Sequence, residues 1–135
     1  MGIEKDLIIA AAGMKAQGQR LRIIAENLAN KDSAPKTKGA EPYRRKIVTF
    51  KNVLDRELGA DIVEVDRVRT DKSDLPLKYD PTNPAADANG YVKMPNVNTL
   101  VELMDMREAQ RSYEANLNMI EVSKSMLSRT LDLLR

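Results

Sequence analysis

Apolar residues recur with helical spacing along two stretches of this 135-residue chain. Toward the C-terminus, Leu103, Met106, Gln110, Tyr113, Leu117, Ile120, Lys124, Leu127, Leu131 and Leu134 advance in alternating steps of three and four. That is the seam spacing of a coiled coil on one continuous helix. A second row, Ala115, Met119, Val122, Met126, Arg129 and Leu133, lies two residues beyond the first, which is roughly 200° around a helix. The segment is therefore apolar on two nearly opposite faces. One helical partner covers one face, and the other needs a further neighbour. Thr99-Leu100-Val101-Glu102 fits a capping box at the start, and about 36 residues at 1.5 Å each give a rod of roughly 54 Å.

The N-terminal stretch mirrors this pattern: Ile3, Leu7, Ala10, Met14, Gln17, Leu21, Ile24 and Leu28 step by four and three. Gly13 and Gly18 each cost such a helix up to about 1 kcal/mol relative to Ala; they are either tolerated or admit a close neighbour. Asn30 supplies a left-handed stop, with Pro35 behind it. All six prolines fall between Pro35 and Pro95, so the chain divides into helix (1–30), irregular middle (31–97) and helix (98–135). In the middle, 46–54 and 61–70 read as an antiparallel hairpin turning near Gly59, and 71–98 as an extended strap with turns. The fold class is mainly α: long antiparallel terminal helices, coiled-coil-like, joined by a small β-hairpin and an extended segment. In this arrangement Ile3, Leu7, Met14, Leu21, Ile24 and Leu28 meet Leu103, Met106, Tyr113, Leu117, Ile120, Leu127, Leu131 and Leu134 within one subunit. Ala115, Met119, Val122, Met126 and Leu133 face other subunits.

Composition supports packing between helices and removes most chemistry. One Phe, four Tyr and no Trp leave few large core fillers. The absence of His and Cys removes the commonest bases, nucleophiles, transition-metal ligands and disulfides. Asp80-Pro81-Thr82-Asn83 and Asp87-Ala88-Asn89-Gly90 miss calcium-loop spacing and suit turns. No catalytic residue, cofactor, metal or small-molecule substrate is assigned. Net charge is only +2, yet residues 31–51 hold seven Lys/Arg against Asp32 and Glu41. With only Tyr43 and Phe50 nearby, the stacking platforms of a nucleic-acid surface are missing. Arg44, Arg45 and Lys46, with Lys36 and Lys38, are therefore read as contacts to acidic surface on a neighbouring subunit. No transmembrane run and no cleavable signal pattern are present.

Ile24-Ala25-Glu26-Asn27-Leu28-Ala29-Asn30 resembles the signature that ends the first helix of flagellar axial proteins, the rod, hook and related subunits. Within that group, three further stretches resemble the proximal rod subunits. They are Pro42-Tyr43-Arg44-Arg45-Lys46, the run from Tyr79, Asp80, Pro81, Asn83 and Pro84 through Gly90, Tyr91 and Val92, and Pro95-Asn96-Val97-Asn98 with the helix after it. The resemblance implies a non-enzymatic rod subunit, exported by the flagellar type III apparatus without a cleaved signal. It implies helical assembly through paired terminal helices that enclose the export channel and transmit torque. The implied partners are copies of itself, other rod proteins, and the export-gate and membrane-ring components at the rod base. A soluble helical adaptor that binds one partner helix through its apolar row is the alternative from another class.

Overall fold

The structure, a computed structural model, describes residues 2–135. Two long helices, α1 (Gly2–Ala29) and α2 (Thr99–Leu133), stand at the ends of the chain. Between them lie β1 (Lys46–Asp55), β2 (Ala60–Thr70), β3 (Leu77–Tyr79) and β4 (Tyr91–Lys93). β1 and β2 form the expected antiparallel hairpin. Its turn is closed by the Gly59 N–H donating to the Asp55 carbonyl at 2.8 Å, with Gly59 at φ +67°.

The expected strap at 71–98 contains a second hairpin, in which Leu77, Lys78 and Tyr79 pair with Lys93, Val92 and Tyr91. Strands of three residues are too short to show an alternating pattern in the sequence. What holds this hairpin is visible only in space. Val92 is buried, and the Tyr79 and Tyr91 rings meet edge to face with centroids 5.3 Å apart. Gly90 turns the chain between them at φ +86°, where a Cβ would come within 2.9 Å of the Tyr79 ring.

Helix ends also differ from expectation. Asn98, one residue before α2, is the cap: its Oδ1 accepts from the Leu100 and Val101 N–H groups at 3.0 and 3.3 Å. The Glu102 carboxylate is thereby released from the expected capping box. Asn30 does not adopt a left-handed conformation, since among the described residues only glycines have positive φ. Its side-chain Nδ2 instead donates to the Glu26 carbonyl at 2.9 Å, which also accepts the Asn30 backbone N–H at 3.1 Å, so the residue closes the last turn twice.

The chain folds into two compact units, each drawing on both helices. The first comprises the chain up to Leu21 with Val48–Arg67 and Met106–Arg135; the second comprises Arg22–Ile47 and Val68–Asp105. In the first unit α1 runs antiparallel to α2. Gly13 lies against Asn116, Gly18 lies against the Tyr113 ring, and Arg20 pairs with Glu108 at 3.6 Å. The buried residues of this contact are small: Ala10, Gly13 and Ala16 on α1, and Ala109 and Ser123 on α2. On the outer side of α1, Ala12, Lys15, Ala16 and Gln19 face Ile62, Val63, Glu64 and Val65 across a groove of about 500 Å³.

The buried line of α2 thus runs one residue before the expected seam, through Ala109, the partly buried Asn116, and Ser123, where the sequence pattern pointed to Gln110, Leu117 and Lys124. Small residues let the helix backbones approach closely, so the larger side chains are displaced to the flanks of the contact. Leu103 is exposed for this reason of phase. Leu131 and Leu134 are exposed for a different reason. The register set by Gly13–Asn116 and Arg20–Glu108, continued at equal rise, brings Gly2 opposite about residue 127, so the last turns of α2 extend past the start of α1. Met106, Tyr113 and Ile120 are partly buried, as are Ile3, Leu7, Met14, Leu21 and Leu28, while Ile24 is fully buried.

The two helical glycines should respond oppositely to substitution. A Cβ at Gly18 would meet Tyr113 at an ordinary 3.7 Å, so Gly18→Ala should stabilise the chain by up to about 1 kcal/mol. A Cβ at Gly13 would fall 2.8 Å from the Asn116 amide, so Gly13→Ala should give no gain or a loss. Asn116→Ala in the same chain should restore the gain. Urea midpoints of the three variants measure this, and equal stabilisation by both single substitutions would remove the close-approach argument.

Candidate assembly surface and its polar anchor

The second unit is organised by two buried polar side chains that face each other from the two helices. Asn27, near the end of α1, has all four of its amide hydrogen-bonding positions occupied. Its Oδ1 accepts from the Lys46 N–H at 2.9 Å and the Tyr43 hydroxyl at 2.6 Å. Its Nδ2 donates to the Lys46 carbonyl at 2.9 Å and to Glu102 Oε2 at 3.4 Å. By exchanging both backbone bonds with Lys46, the amide acts as a one-residue strand beside the start of β1.

Glu102, in the first turn of α2, has a side chain only 1% exposed. A carboxylate so buried is costly unless paired and hydrogen-bonded. Arg45 answers it through Nε, and the same guanidinium reaches Asp105 at 3.3 Å and Asp71 at 3.5 Å. The Arg45 N–H donates to Asn96 Oδ1 at 2.7 Å, and Asn96 Nδ2 donates to the Asp71 carbonyl at 3.1 Å. Burial alone would lower the Arg45 pKa, but its bond to Glu102 and the charges of Glu102 and Asp105 outweigh that and raise it. Hydrogen bonds from Ser73, then the bond to Arg45, hold the Asp71 carboxyl below its ordinary range. Tyr43 is pushed up to about 12 by burial and by the negative charges of Glu26 and Glu102.

Three stretches picked out in the sequence therefore converge here: Asn27 from the first, Tyr43 and its basic neighbours from the second, and Asn96 from the third. Pro42 and Pro95, beside them, are buried. Asp80, Pro81, Asn83, Pro84, Gly90 and Tyr91 lie apart from this network, in the turns around the β3–β4 hairpin. Sequence reasoning gave Glu102 only a capping role and missed Asp71 and Asp105, because their meaning depends on what Arg45 reaches. The basic run also finds partners within the chain. Arg44 bonds to Glu41 at 3.3 Å and to the Ser73 carbonyl at 3.1 Å, and Lys46 pairs with Glu26. Arg44, Arg45 and Lys46 thus have partners within their own unit. The exposed cations of the run include Lys31, Lys36 and Lys38.

In the first unit, α2 presents the candidate assembly surface. Met119, Val122 and Met126 are each about half exposed, Ala115 is exposed, and Leu133 and Leu134 are 86% and 78% exposed. Leu117 and Leu127 lie at the margin of the helix contact, with Leu131 beyond it. So many exposed large apolar side chains along one helix exceed the scattered exposure normal for a monomer.

Residues 88–133 match the family described as "Flagellar basal body rod FlgEFG protein C-terminal". Across the chain, the similarity to flagellar basal-body rod proteins named FlgC is extensive. It is 52% identical to that of Agrobacterium fabrum, over 94% of this chain and 91% of the relative. Identity is 42% with the Salmonella typhimurium protein, over 93% and 92%, and 37% with that of Bacillus subtilis, over 94% and 95%. The chain belongs to the FlgC family of flagellar basal-body rod proteins. As an FlgC-family protein it is a structural, non-enzymatic subunit located in the basal-body rod. Among its described residues no helix is long and apolar enough to cross a membrane.

The anchor yields two stability predictions for this FlgC chain. Arg45→Met leaves Glu102 buried without its cation and should cost about 3–5 kcal/mol in urea unfolding. Tyr43 is held neutral well above its ordinary range. Its contribution is therefore full below about pH 10, the ordinary tyrosine value, and is lost as pH rises toward 12. Tyr43→Phe should cost about 0.5–1.5 kcal/mol at neutral pH and should flatten that alkaline loss. An unchanged alkaline profile in Tyr43→Phe would count against this assignment.

Proposed function

We propose that this subunit builds the rod by helical self-assembly through the outward faces of α2, in company with other rod proteins and with the export-gate and membrane-ring components at the rod base. Residues 1–30 and 98–135 form the axial core domain, and 31–97 the segment outside it. On assembly the two terminal helices pack in a coiled-coil-like manner with those of neighbouring subunits, enclose the export channel and carry torque through many apolar contacts. Export proceeds through the flagellar type III apparatus without a cleaved signal.

One observation carries this reading: the row Met119, Val122 and Met126 is half exposed although it lies within the span paired with α1, and Leu131, Leu133 and Leu134 extend beyond it. Burying one Leu or Met side chain contributes roughly 1.5–3 kcal/mol. The half-exposed row gains about half of that per side chain and the more exposed end gains more, and only the surplus over the cost of association drives assembly.

Met126→Asp places an unpaired charge in a contact formed only on assembly. The purified variant should keep wild-type helical circular dichroism, because the side chain is exposed in the single chain. In a flagellated strain lacking its own FlgC, it should be exported yet build no rods and restore no motility. Normal motile rods from Met126→Asp would show that this face is solvated in the assembly and would remove the reading.

A further inference from the structure

Within the second unit, the loop after α1 and the β3–β4 hairpin enclose a pocket of about 270 Å³, lined by Pro35, Lys38, Leu77, Ala85, Tyr91 and Lys93 among others. Its walls mix apolar side chains with Lys38, Lys93 and Asp87, and more lysines lie around it. Lys36, Lys38, Lys78 and Lys93 are all exposed. Of the nearby carboxylates, Asp87 lines the pocket and is exposed, and both it and Asp80 accept hydrogen bonds within their own turns. Asp80 accepts from the Thr82 hydroxyl at 3.1 Å, and Asp87 Oδ1 accepts from the Asn89 and Tyr91 N–H groups at 2.8 and 2.9 Å. Leu77, Tyr79 and Tyr91 are 61%, 64% and 41% exposed, a large apolar area for two three-residue strands. At this volume the pocket lies under the ~300–1,000 Å³ of typical small-molecule sites. It suits side chains of a protein partner.

The same chain carries a surface of complementary chemistry. Residues 55–66, the tip of the β1–β2 hairpin, hold five Asp/Glu against Arg56 alone. Glu57, Asp61 and Glu64 are exposed, and Leu54 beside the tip is 59% exposed. We propose that the β1–β2 tip of a second copy docks at this pocket, with Leu54 against the Leu77 and Tyr91 surface and the carboxylates against Lys36, Lys38 and Lys93. The contact rests on the self-assembly reading above and gives it a second, polar component. The two patches differ, so each docked copy still offers one unused patch, and such a contact grows as an open helix when its rotation does not close a ring. The attraction operates between exposed charges and therefore weakens with salt.

Two charge-reversed chains test this. One carries Lys36→Glu, Lys38→Glu and Lys93→Glu; the other carries Glu57→Lys, Asp61→Lys and Glu64→Lys. All six positions are exposed, and wild-type circular dichroism of each purified chain checks its fold. In the strain lacking FlgC, each chain alone sets like charge against like and should build no rods. Expressed together, each chain's tip matches the other's pocket, and rods and motility should return. One chain carrying all six substitutions should also assemble. Normal rods from either triple variant alone would overturn the contact. Rescue by the sixfold chain without rescue by the mixture would mean that the tip serves its own chain, which overturns docking by a second copy. Failure of both, with wild type assembling, would also overturn it. Failure of the wild-type chain itself would instead remove the self-assembly reading, and this contact with it.

Discussion

The buried carboxylate of Glu102 is the constraint around which the second unit is arranged. An acid withdrawn from water at the first turn of a helix must be met by a cation and by hydrogen-bond donors, or it destabilises the fold by several kcal/mol. Arg45 and the Asn27 amide meet it. Because Asn27 also binds the Lys46 backbone in both directions, the end of α1, the entry to β1 and the start of α2 become a single hydrogen-bonded joint. Asn96 and Asp71 attach the segment leading into α2 to the same guanidinium and backbone. Each member relies on the next, so the network is rigid only when complete.

The first unit is held by different physics. Its interior contact is made by Ala10, Gly13, Ala16, Ala109 and Ser123, residues that bring backbones together and bury little area each. Of the large apolar residues of α2, Met106, Tyr113 and Ile120 flank the contact half-buried, while Met119, Val122 and Met126 stay exposed and Leu131, Leu133 and Leu134 lie past the start of α1. Small residues inside the contact bury little apolar area, and the exposed Met, Val and Leu leave apolar surface open to a neighbour. That division suits a structural subunit of the rod.

The sequence by itself determined the two terminal helices and the β1–β2 hairpin. Periodicity and turn residues are local signals, and those elements are long enough to display them. It also determined the likeness to flagellar axial proteins, since the motifs are contiguous runs of residues. The tertiary structure decided the phase of the helix contact, because Gly13 and Asn116 come together from distant parts of the chain and no heptad count foretells how closely two backbones approach. It decided the β3–β4 hairpin, whose three-residue strands are held by Val92 burial and the Tyr79–Tyr91 contact. Above all it decided the roles of charge. Glu102 reads as a capping residue and Arg45 as a surface cation when each is considered with its sequence neighbours. Electrostatic pairing depends on distance in space, and only folding brings Arg45 to Glu102, Asp105 and Asp71.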